Sequence, residues 1–386
     1  MKQMRWWLLA ALVVGGQAWA ASPTCSAAAN ENKVSWPNTT SPVWEMCWLT
    51  PQRSSGPRGS GLELRNVHFM GTLVLKRAHA PMLFAEYRNG QGGDCYRDWK
   101  DTNASFAAEP AVRNILGTPT TFTAKTSCDI SHSATTSYGN CPFNGNPDIT
   151  LTGANCMTGG GVAVENLPNN GGFVLTTQYS ASWYQYTSRF FFYANGDIEP
   201  QFGFGNNNGT FNNVTHWHHN YWRFDFDLAG PENDEIQRDG VAQANEFAVV
   251  RSRVQTRVFD PVAGFGYVFE TGPEDDKYLA NESGRNFHQI DLIGARYIAN
   301  EYGDNPVYSL SDCTMQAANI ANNQTLTGQD VVLYYRASVR DSTANDWPTS
   351  GASAVPQDSM VCKKVGPILR FVGTITETPL LKDGFE

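Results

Sequence analysis

The stretch from His216 to Gly230, HWHHNYWRFDFDLAG, shows most clearly how this chain folds. In its second half the apolar residues Phe224 and Phe226 alternate with the acidic residues Asp225 and Asp227. Alternation with a period of two residues is typical of a β-strand with one buried face. We therefore predict a strand across this stretch.

Two pairs of side chains on this strand have metal-binding chemistry. Residues two apart on a strand share a face, so His216 and His218 are predicted to point the same way. Two imidazoles on one rigid face form half of a transition-metal site. Asp225 and Asp227 also share a face and offer two oxygen ligands for a second, calcium-like ion. The alternative is a surface strand that binds no metal.

The composition is typical of a large β-rich globular protein. Of 386 residues, 41% are hydrophobic and only 17% are charged, and few segments show a helical period. The formal net charge is −9. Because phosphate binding needs a basic face, this charge argues against nucleic acid as a partner.

The first 20 residues have the pattern of a secretory signal peptide. Lys2 and Arg5 precede the apolar run at 6–16, and Ala18-Trp19-Ala20, with small residues at its first and third positions, forms a cleavage site. The alternative, a membrane anchor, needs about 20 apolar residues, and this run is shorter. We predict cleavage after Ala20, a secreted or periplasmic protein, and no membrane attachment after cleavage.

An even number of cysteines follows the signal segment, which predicts disulfides in an exported chain. The eight are Cys25, Cys47, Cys95, Cys128, Cys141, Cys156, Cys313 and Cys362. Spacing alone leaves their pairing open. No Cys-x-x-Cys pair is present, which disfavours a zinc cluster held by thiolates.

The remaining chain is predicted to form one large all-β domain at 61–380, preceded by a Pro/Ser/Asn-rich segment at 21–60. Strands are predicted at 61–69, 72–76, 172–182, 184–193, 246–259, 264–270, 307–310 and 331–338. Helices are predicted only at 107–116 and 311–322. Asn195-Gly196, between two apolar runs, predicts a hairpin turn.

Several motifs follow one another in an order that is found in one enzyme family. They are the run Gly61–Phe69, Tyr96-Arg97-Asp98, Trp183-Tyr184-Gln185-Tyr186, His216-x-His218 and Asp346-Trp347-Pro348. This order resembles the catalytic domain of the copper amine oxidases over residues 61–365. The resemblance implies a large antiparallel β-sandwich with few short helices.

The resemblance also implies a reaction. The family oxidises a primary amine with O2 to an aldehyde, NH3 and H2O2. Tyr184 is similar in position to the tyrosine that becomes topaquinone, whose carbonyl reacts with the amine. Asp98 matches the catalytic base and Tyr96 the aromatic gate. His216 and His218 match two ligands of Cu(II).

The third copper ligand of the family is a histidine, and no histidine stands at its position here. Counted from Asp346, Arg340 takes the position, and counted from Asp330, Asp341 does. Asp341 would complete a set of two histidines and one carboxylate, as in non-haem iron sites. The alternative replacements are His219 and His288.

The neighbours of Tyr184 also depart from the family pattern, since Trp183 and Gln185 stand where the family has Asn and an acidic residue. A peripheral Ca2+ site of the family is matched by Asp225, the Phe226 carbonyl, Asp227, Asp330 and the Val331 carbonyl.

The resemblance further implies a Cys128–Cys156 disulfide and a homodimer. Cys25–Cys47 and Cys313–Cys362 are expected to pair as sequence neighbours, which leaves Cys95–Cys141.

Three functional hypotheses follow. The first is an exported amine oxidase that uses Cu(II) and topaquinone. The second is a non-catalytic relative, kept as a binding or structural protein after loss of the third histidine. The third is a mononuclear metal enzyme without the quinone. Metal content and a quinone chromophore distinguish the three.

Overall fold

The computed structural model describes residues 22–29, 31–49, 54–55, 61–88, 93–98, 162–181, 184–206, 216–249, 255–272, 292–299, 320–341 and 365–375. Within these ranges it contains no α-helix, and the helical turns at 27–29 and 168–170 are of the 3-10 type. None of the helices in the described ranges is long and apolar enough to cross a membrane.

The described residues form two antiparallel β-sheets that pack face to face. The strands are β1 (Asn32–Trp36), β2 (Trp44–Leu49), β3 (Glu63–Phe69), β4 (Thr72–Arg88), β5 (Gly93–Asp98), β6 (Val162–Asn166), β7 (Gly172–Ala181), β8 (Tyr184–Tyr193), β9 (Ile198–Asn206), β10 (His216–Phe226), β11 (Glu235–Arg238), β12 (Val241–Ala242), β13 (Phe247–Val249), β14 (Thr256–Asp260), β15 (Phe265–Thr271), β16 (Leu292–Arg296), β17 (Val331–Asp341) and β18 (Pro367–Gly373). The first sheet has the order β1-β2-β3-β4-β10-β17-β16-β13, with β5 paired to β4. The second has the order β12-β11-β14-β15-β18-β9-β8-β7-β6. The predicted large antiparallel β-sandwich is confirmed.

Aromatic side chains from both sheets fill the space between them. Phe190 of β8 lies 5.1 Å from Trp222 of β10, and Phe192 of β8 lies 5.0 Å from Trp44 of β2, measured between ring centroids. All four side chains are fully buried. Because side chains alternate along a strand, the even-numbered positions of β8 and β10 face the opposite sheet.

The hairpin between β8 and β9 turns at the predicted Asn-Gly pair. The N–H of Gly196 donates to the carbonyl oxygen of Tyr193 at 3.0 Å. Gly196 has φ +97°, and a Cβ there would lie 2.8 Å from Cε1 of Phe69. The Asp197 carboxylate accepts the N–H of Phe371 at 2.9 Å, which ties the turn to β18. Only glycine meets both the backbone and the packing requirement at this turn.

The segment before residue 61 contributes two strands to the first sheet, since β1 pairs with β2 and β2 with β3. Cys25 and Cys47 form the predicted disulfide, with Cα atoms 5.5 Å apart. Trp36 Nε1 of β1 donates to Oδ1 of Asn166 of β6 at 2.9 Å, and this bond joins the edges of the two sheets. Of the other cysteines, Cys95 lies in β5 with its side chain outside the described part, and Cys128, Cys141, Cys156, Cys313 and Cys362 lie outside the described residues.

The predicted strand at 246–259 was wrong, because this segment contains β13 and β14, which belong to different sheets. An apolar run that passes from one sheet to the other has the same composition as one continuous strand. β4 and β17 are longer than predicted, since both pair with β10 as far as its first residue. The predicted elements at 1–20, 107–116 and 307–310, and most of 311–322, lie outside the described residues.

Candidate active site and acidic cluster

The cross-strand register gathers several predicted site positions on one face of the first sheet. His216 of β10 is opposite Asp341 of β17, and His218 is opposite Ala85 of β4. Ala85 is in turn opposite Tyr96 of β5. Directly opposite residues in an antiparallel pair occupy the same face of the sheet. The face is the inner one, because it also carries the core residues of β10.

The position of the predicted base lies in the next cross-strand row of this face. Asp98 is opposite Leu83, and Leu83 is opposite Asn220. His218 is fully buried and Asn220 is 2% exposed. For His216, Asp341, Tyr96 and Asp98 the structure describes the strand position and not the side chain.

Tyr184 begins β8 in the second sheet, opposite Ala181 of β7 and Asn206 of β9. Its even-numbered position has the same parity as Phe190 and Phe192, which face the first sheet. The side chain of Tyr184 lies outside the described part. The position of this residue therefore belongs to the face that looks toward β10.

The two facing strands run in the same sense. Phe190 contacts Trp222 in the middle of β10, whereas Phe192 contacts Trp44. β2 pairs with β3, β3 with β4, and β4 with β10. When the register is followed through these pairings, Trp44 lies beyond the C-terminal end of β10. β8 therefore advances from the N-terminal toward the C-terminal end of β10. Tyr184, its first residue, lies at the end of the sandwich where β10 begins.

The register also separates the candidates for a third metal ligand. Asp341 is opposite His216 and shares its face, whereas Arg340 is opposite Trp217 and occupies the other face. His219 also occupies the other face, where its Nδ1 lies 2.8 Å from Oγ of Ser338. His288 lies outside the described residues. Of the described candidates, only Asp341 is on the face of His216 and His218.

Three carboxylates converge at the opposite end of β10. Asp225, Asp227 and Asp330 each present a ligand atom within 4.8 Å of those of the other two. Asp225 and Asp227 are buried and Asp330 is half-buried. One oxygen of each, Oδ1, has no hydrogen-bond partner among the described residues. Arg223 offsets part of the charge, with its Nη1 3.1 Å from Oδ2 of Asp225.

The mutual repulsion of these groups affects their protonation. Burial, and secondly the charge of Asp225, raise the pKa of Asp227 to about 6. Burial, followed by the charges of Asp225 and Asp227, raises the pKa of Asp330 to about 8. A divalent cation would oppose both shifts, because its charge stabilises the ionised carboxylates and offsets their mutual repulsion.

The carbonyls of Phe226 and Val331 complete the predicted Ca2+ ligand set. These two residues are opposite each other and lie between Asp225 and Asp330. The residues that the prediction groups together thus occupy one end of the β10–β17 pair. Oxygen-only donors and high negative charge suit Ca2+ rather than a transition metal.

Asp234 is an acidic neighbour of this cluster that sequence reasoning missed. It is 2% exposed, and its Oδ2 accepts the N–H of Leu228 at 3.1 Å. Burial is the main cause that raises its pKa to about 8, with further contributions from Asp260, Asp227 and Asp330. A single acid in a turn carries no periodic signal, so only the folded chain reveals that Asp234 supports the loop after Asp227.

No protein-family model and no curated protein sequence matches this chain. Solved structures do match it. A copper-containing benzylamine oxidase from Hansenula polymorpha aligns with a TM-score of 0.53 over 96% of this chain, at 13% identity. An Aspergillus nidulans amine oxidase aligns with a TM-score of 0.51 over 97% of this chain, at 10% identity. The chain has the fold of an amine oxidase.

The alignments cover 65% of the benzylamine oxidase and 55% of the Aspergillus amine oxidase, so this chain spans less than two thirds of either. Identity at this level shows a shared amine oxidase fold and leaves the activity to be argued from the site.

Proposed function

We propose that this chain is an exported primary-amine oxidase that converts a primary amine, O2 and H2O to an aldehyde, NH3 and H2O2. The observation that carries the proposal is the register of β10, which has His216, His218 and Asp341 on one inner face. The position of Tyr184 at the same end of the facing sheet supports it further. The amine oxidase fold is consistent with this reaction.

The donor set fits a copper ion. Two imidazoles and a carboxylate are ligands that Cu(II) accepts, and the full burial of His218 restricts its ring to the inter-sheet space. We expect His216, His218 and Asp341 to hold the ion. Bound copper, together with O2, would allow Tyr184 to be oxidised to topaquinone, which is the group that reacts with the amine.

The chain's own residues have two further roles in this proposal. Asp98 acts as the general base that removes the proton from the carbon bearing the amine. Tyr96 is two residues before it on the same strand face, from which it covers the reacting centre and limits access of water. Both lie within two rows of His218 on the inner face.

A non-catalytic relative is the second candidate, and a specific observation favours it. An aspartate, and not a histidine, shares the face of His216 and His218, and Trp183 and Gln185 flank Tyr184. The same set of two histidines and one carboxylate would suit a mononuclear metal enzyme without the quinone.

Copper loading in air tests the three functions together. The amine oxidase is expected to bind about one copper per chain and to develop a visible chromophore that reacts with phenylhydrazine. Tyr184→Phe should abolish the chromophore while copper stays bound, and His218→Ala should prevent both. Bound copper without colour would leave the mononuclear metal enzyme, and no bound metal would leave the non-catalytic relative.

We also propose that the acidic cluster binds Ca2+ through Asp225, Asp227 and Asp330 and the carbonyls of Phe226 and Val331. Three carboxylates, each with an oxygen that lacks a described partner, match the hard oxygen ligands that Ca2+ prefers. Calorimetric titration with Ca2+ should show one site, which Asp330→Asn weakens at least tenfold. Unchanged affinity in this variant would contradict the assignment.

The Cys25–Cys47 disulfide supports an exported protein, because disulfides persist in oxidising compartments. Secretion or export to the periplasm, after cleavage of residues 1–20, accordingly belongs to the proposal, as does a homodimer like that implied by the family resemblance. N-terminal sequencing of the exported protein and its mass in solution test both.

A further inference from the structure

Three buried hydrogen-bond donors, all on inner positions of β8 and β10, have no partner among the described residues. They are Nδ2 of Asn220, Nε1 of Trp222 and Oγ of Ser188. Asn220 and Ser188 are each 2% exposed, and Trp222 is fully buried. Buried donors in native proteins pair with an acceptor from the protein, from water or from a ligand. This space therefore requires acceptors that the surrounding described residues do not supply.

The donors lie at the inner end of the candidate active site. Asn220 follows His218 by two residues on the same face of β10, and Ser188 shares its face of β8 with Phe190. Phe190 contacts Trp222, and Ser188 lies two residues before Phe190. Asn220 lies two residues before Trp222. Since the two strands run in the same sense, Asn220 and Ser188 lie across from each other.

The space closes directly beyond these residues. Phe190 and Trp222 meet edge to face, and behind them Phe192, Phe224 and Phe226 belong to the apolar core. The inner face is thus polar from His218 to Asn220 and apolar from Phe224 onward. A ligand that enters from the His216 end would reach the donors last.

The distance from the proposed base is suited to a short molecule. Asp98, Leu83 and Asn220 stand in one cross-strand row, so two strand spacings separate Asp98 from Asn220. Two spacings amount to about 10 Å between backbones. A substrate whose reacting carbon lies at Asp98 would therefore need a chain of only a few atoms to reach the donors.

We propose that the substrate is a short primary amine with a neutral hydrogen-bond acceptor at its far end, and that Asn220 and Ser188 bind this acceptor. This inference rests on the proposed amine oxidase function. An amide carbonyl is the acceptor class that fits best. No Lys or Arg occupies an inner-face position of β8 or β10, so near Asn220 and Ser188 these two strands offer a carboxylate only neutral donors. Burial of an anion without a cationic partner is costly.

Three amines of nearly identical shape test the proposal on the copper-loaded full chain. They are 4-aminobutanamide, its carboxylate analogue 4-aminobutanoate and its apolar analogue 4-methylpentylamine. From H2O2 release, we expect kcat/KM for the amide to exceed that of both analogues by at least about tenfold. The double variant Asn220→Leu with Ser188→Ala should remove the preference for the amide over the apolar amine.

Thr256→Val is the matched control. Thr256 is 3% exposed and its Oγ1 also lacks a described partner, but it lies in β14, away from β8 and β10. Loss of the Thr256 hydroxyl should leave the preference for the amide unchanged. Equal kcat/KM for the amide and 4-methylpentylamine in the wild type would overturn the proposal, as would a preference that survives in the double variant.

A second measurement separates this inference from the proposed reaction. Calorimetric binding of the three amines to copper-loaded Tyr184→Phe protein involves no turnover. The amide should bind at least about tenfold more tightly than either analogue, and the two added substitutions should remove the difference. If no amine is oxidised but this binding pattern holds, the reaction is wrong and the pocket stands. Equal binding of the three amines overturns the pocket.

Discussion

Among single residues, Asp227 and Asp330 give the clearest dependence on pH. Their pKa values in the folded chain, about 6 and about 8, lie above the value of about 3.9 for an unfolded aspartate. The folded state therefore binds these protons more tightly, and their stabilising effect is complete below about pH 4. It is lost as the pH rises through about 6 and then about 8.

We expect calcium-free wild-type protein to lose thermal stability between pH 4 and pH 8 relative to Asp330→Asn, which carries no charge at this position. Millimolar Ca2+ should raise the Tm of the wild type more at pH 8 than at pH 5, and should have little effect on the variant. Scanning calorimetry across this pH range measures both effects. A Tm difference between the two proteins that does not change with pH would contradict the assignment.

The residue scale also shows how far the sequence predicts the site. The spacing of His216 and His218 was sufficient to place them on one strand face, because that inference needs only local geometry. The choice between Arg340 and Asp341 was open, because it depends on how β17 is aligned with β10. Residue types and local spacing do not encode that alignment, whereas the folded sheet does.

At the scale of elements, the β8–β9 hairpin offers a matched pair of substitutions. Gly196 and Gly240 both have positive φ, +97° and +78°, but a Cβ at Gly196 would meet Phe69 and Phe371, and one at Gly240 would meet nothing within 4 Å. Alanine at Gly240 should cost only the backbone strain, about 1 kcal/mol of unfolding free energy. Alanine at Gly196 should cost about 1–3 kcal/mol more, because the aromatic rings must shift.

Urea unfolding followed by tryptophan fluorescence measures both losses. Equal losses for the two variants would mean that the rings of Phe69 and Phe371 move aside without cost, against the close packing of the hairpin on β3 and β18.

Element prediction from the sequence succeeded for some strands and failed for others. β8 has its predicted bounds at 184–193. β2 was missed because all six of its residues, WEMCWL, are buried, so it shows no period of two. β13 and β14 were merged because composition does not reveal a change of sheet.

For the whole molecule, the Cys25–Cys47 disulfide fastens the segment before residue 61 to the sandwich. The bond closes a loop of 22 residues, for which loss of chain entropy in the unfolded state predicts about 3 kcal/mol of stabilisation. Cys25→Ala with Cys47→Ala should therefore lower the unfolding free energy by about 2–4 kcal/mol. Ala28→Ser, at an exposed position in the same segment, should change it by less than about 0.5 kcal/mol. A loss in the cysteine variant as small as that of the control would show that the segment holds without its disulfide.

The β10–β17 pair, aligned over the full 11 residues of each strand, has an evolutionary consequence. One end of this pair carries His216 opposite Asp341, and the other carries Asp225 and the residue that follows Asp330. A one-residue deletion inside either strand would displace the partners at one end and turn the displaced residues to the wrong face. A change of one residue in only one of the two strands is therefore selected against, so the two ends tend to be inherited as a single unit.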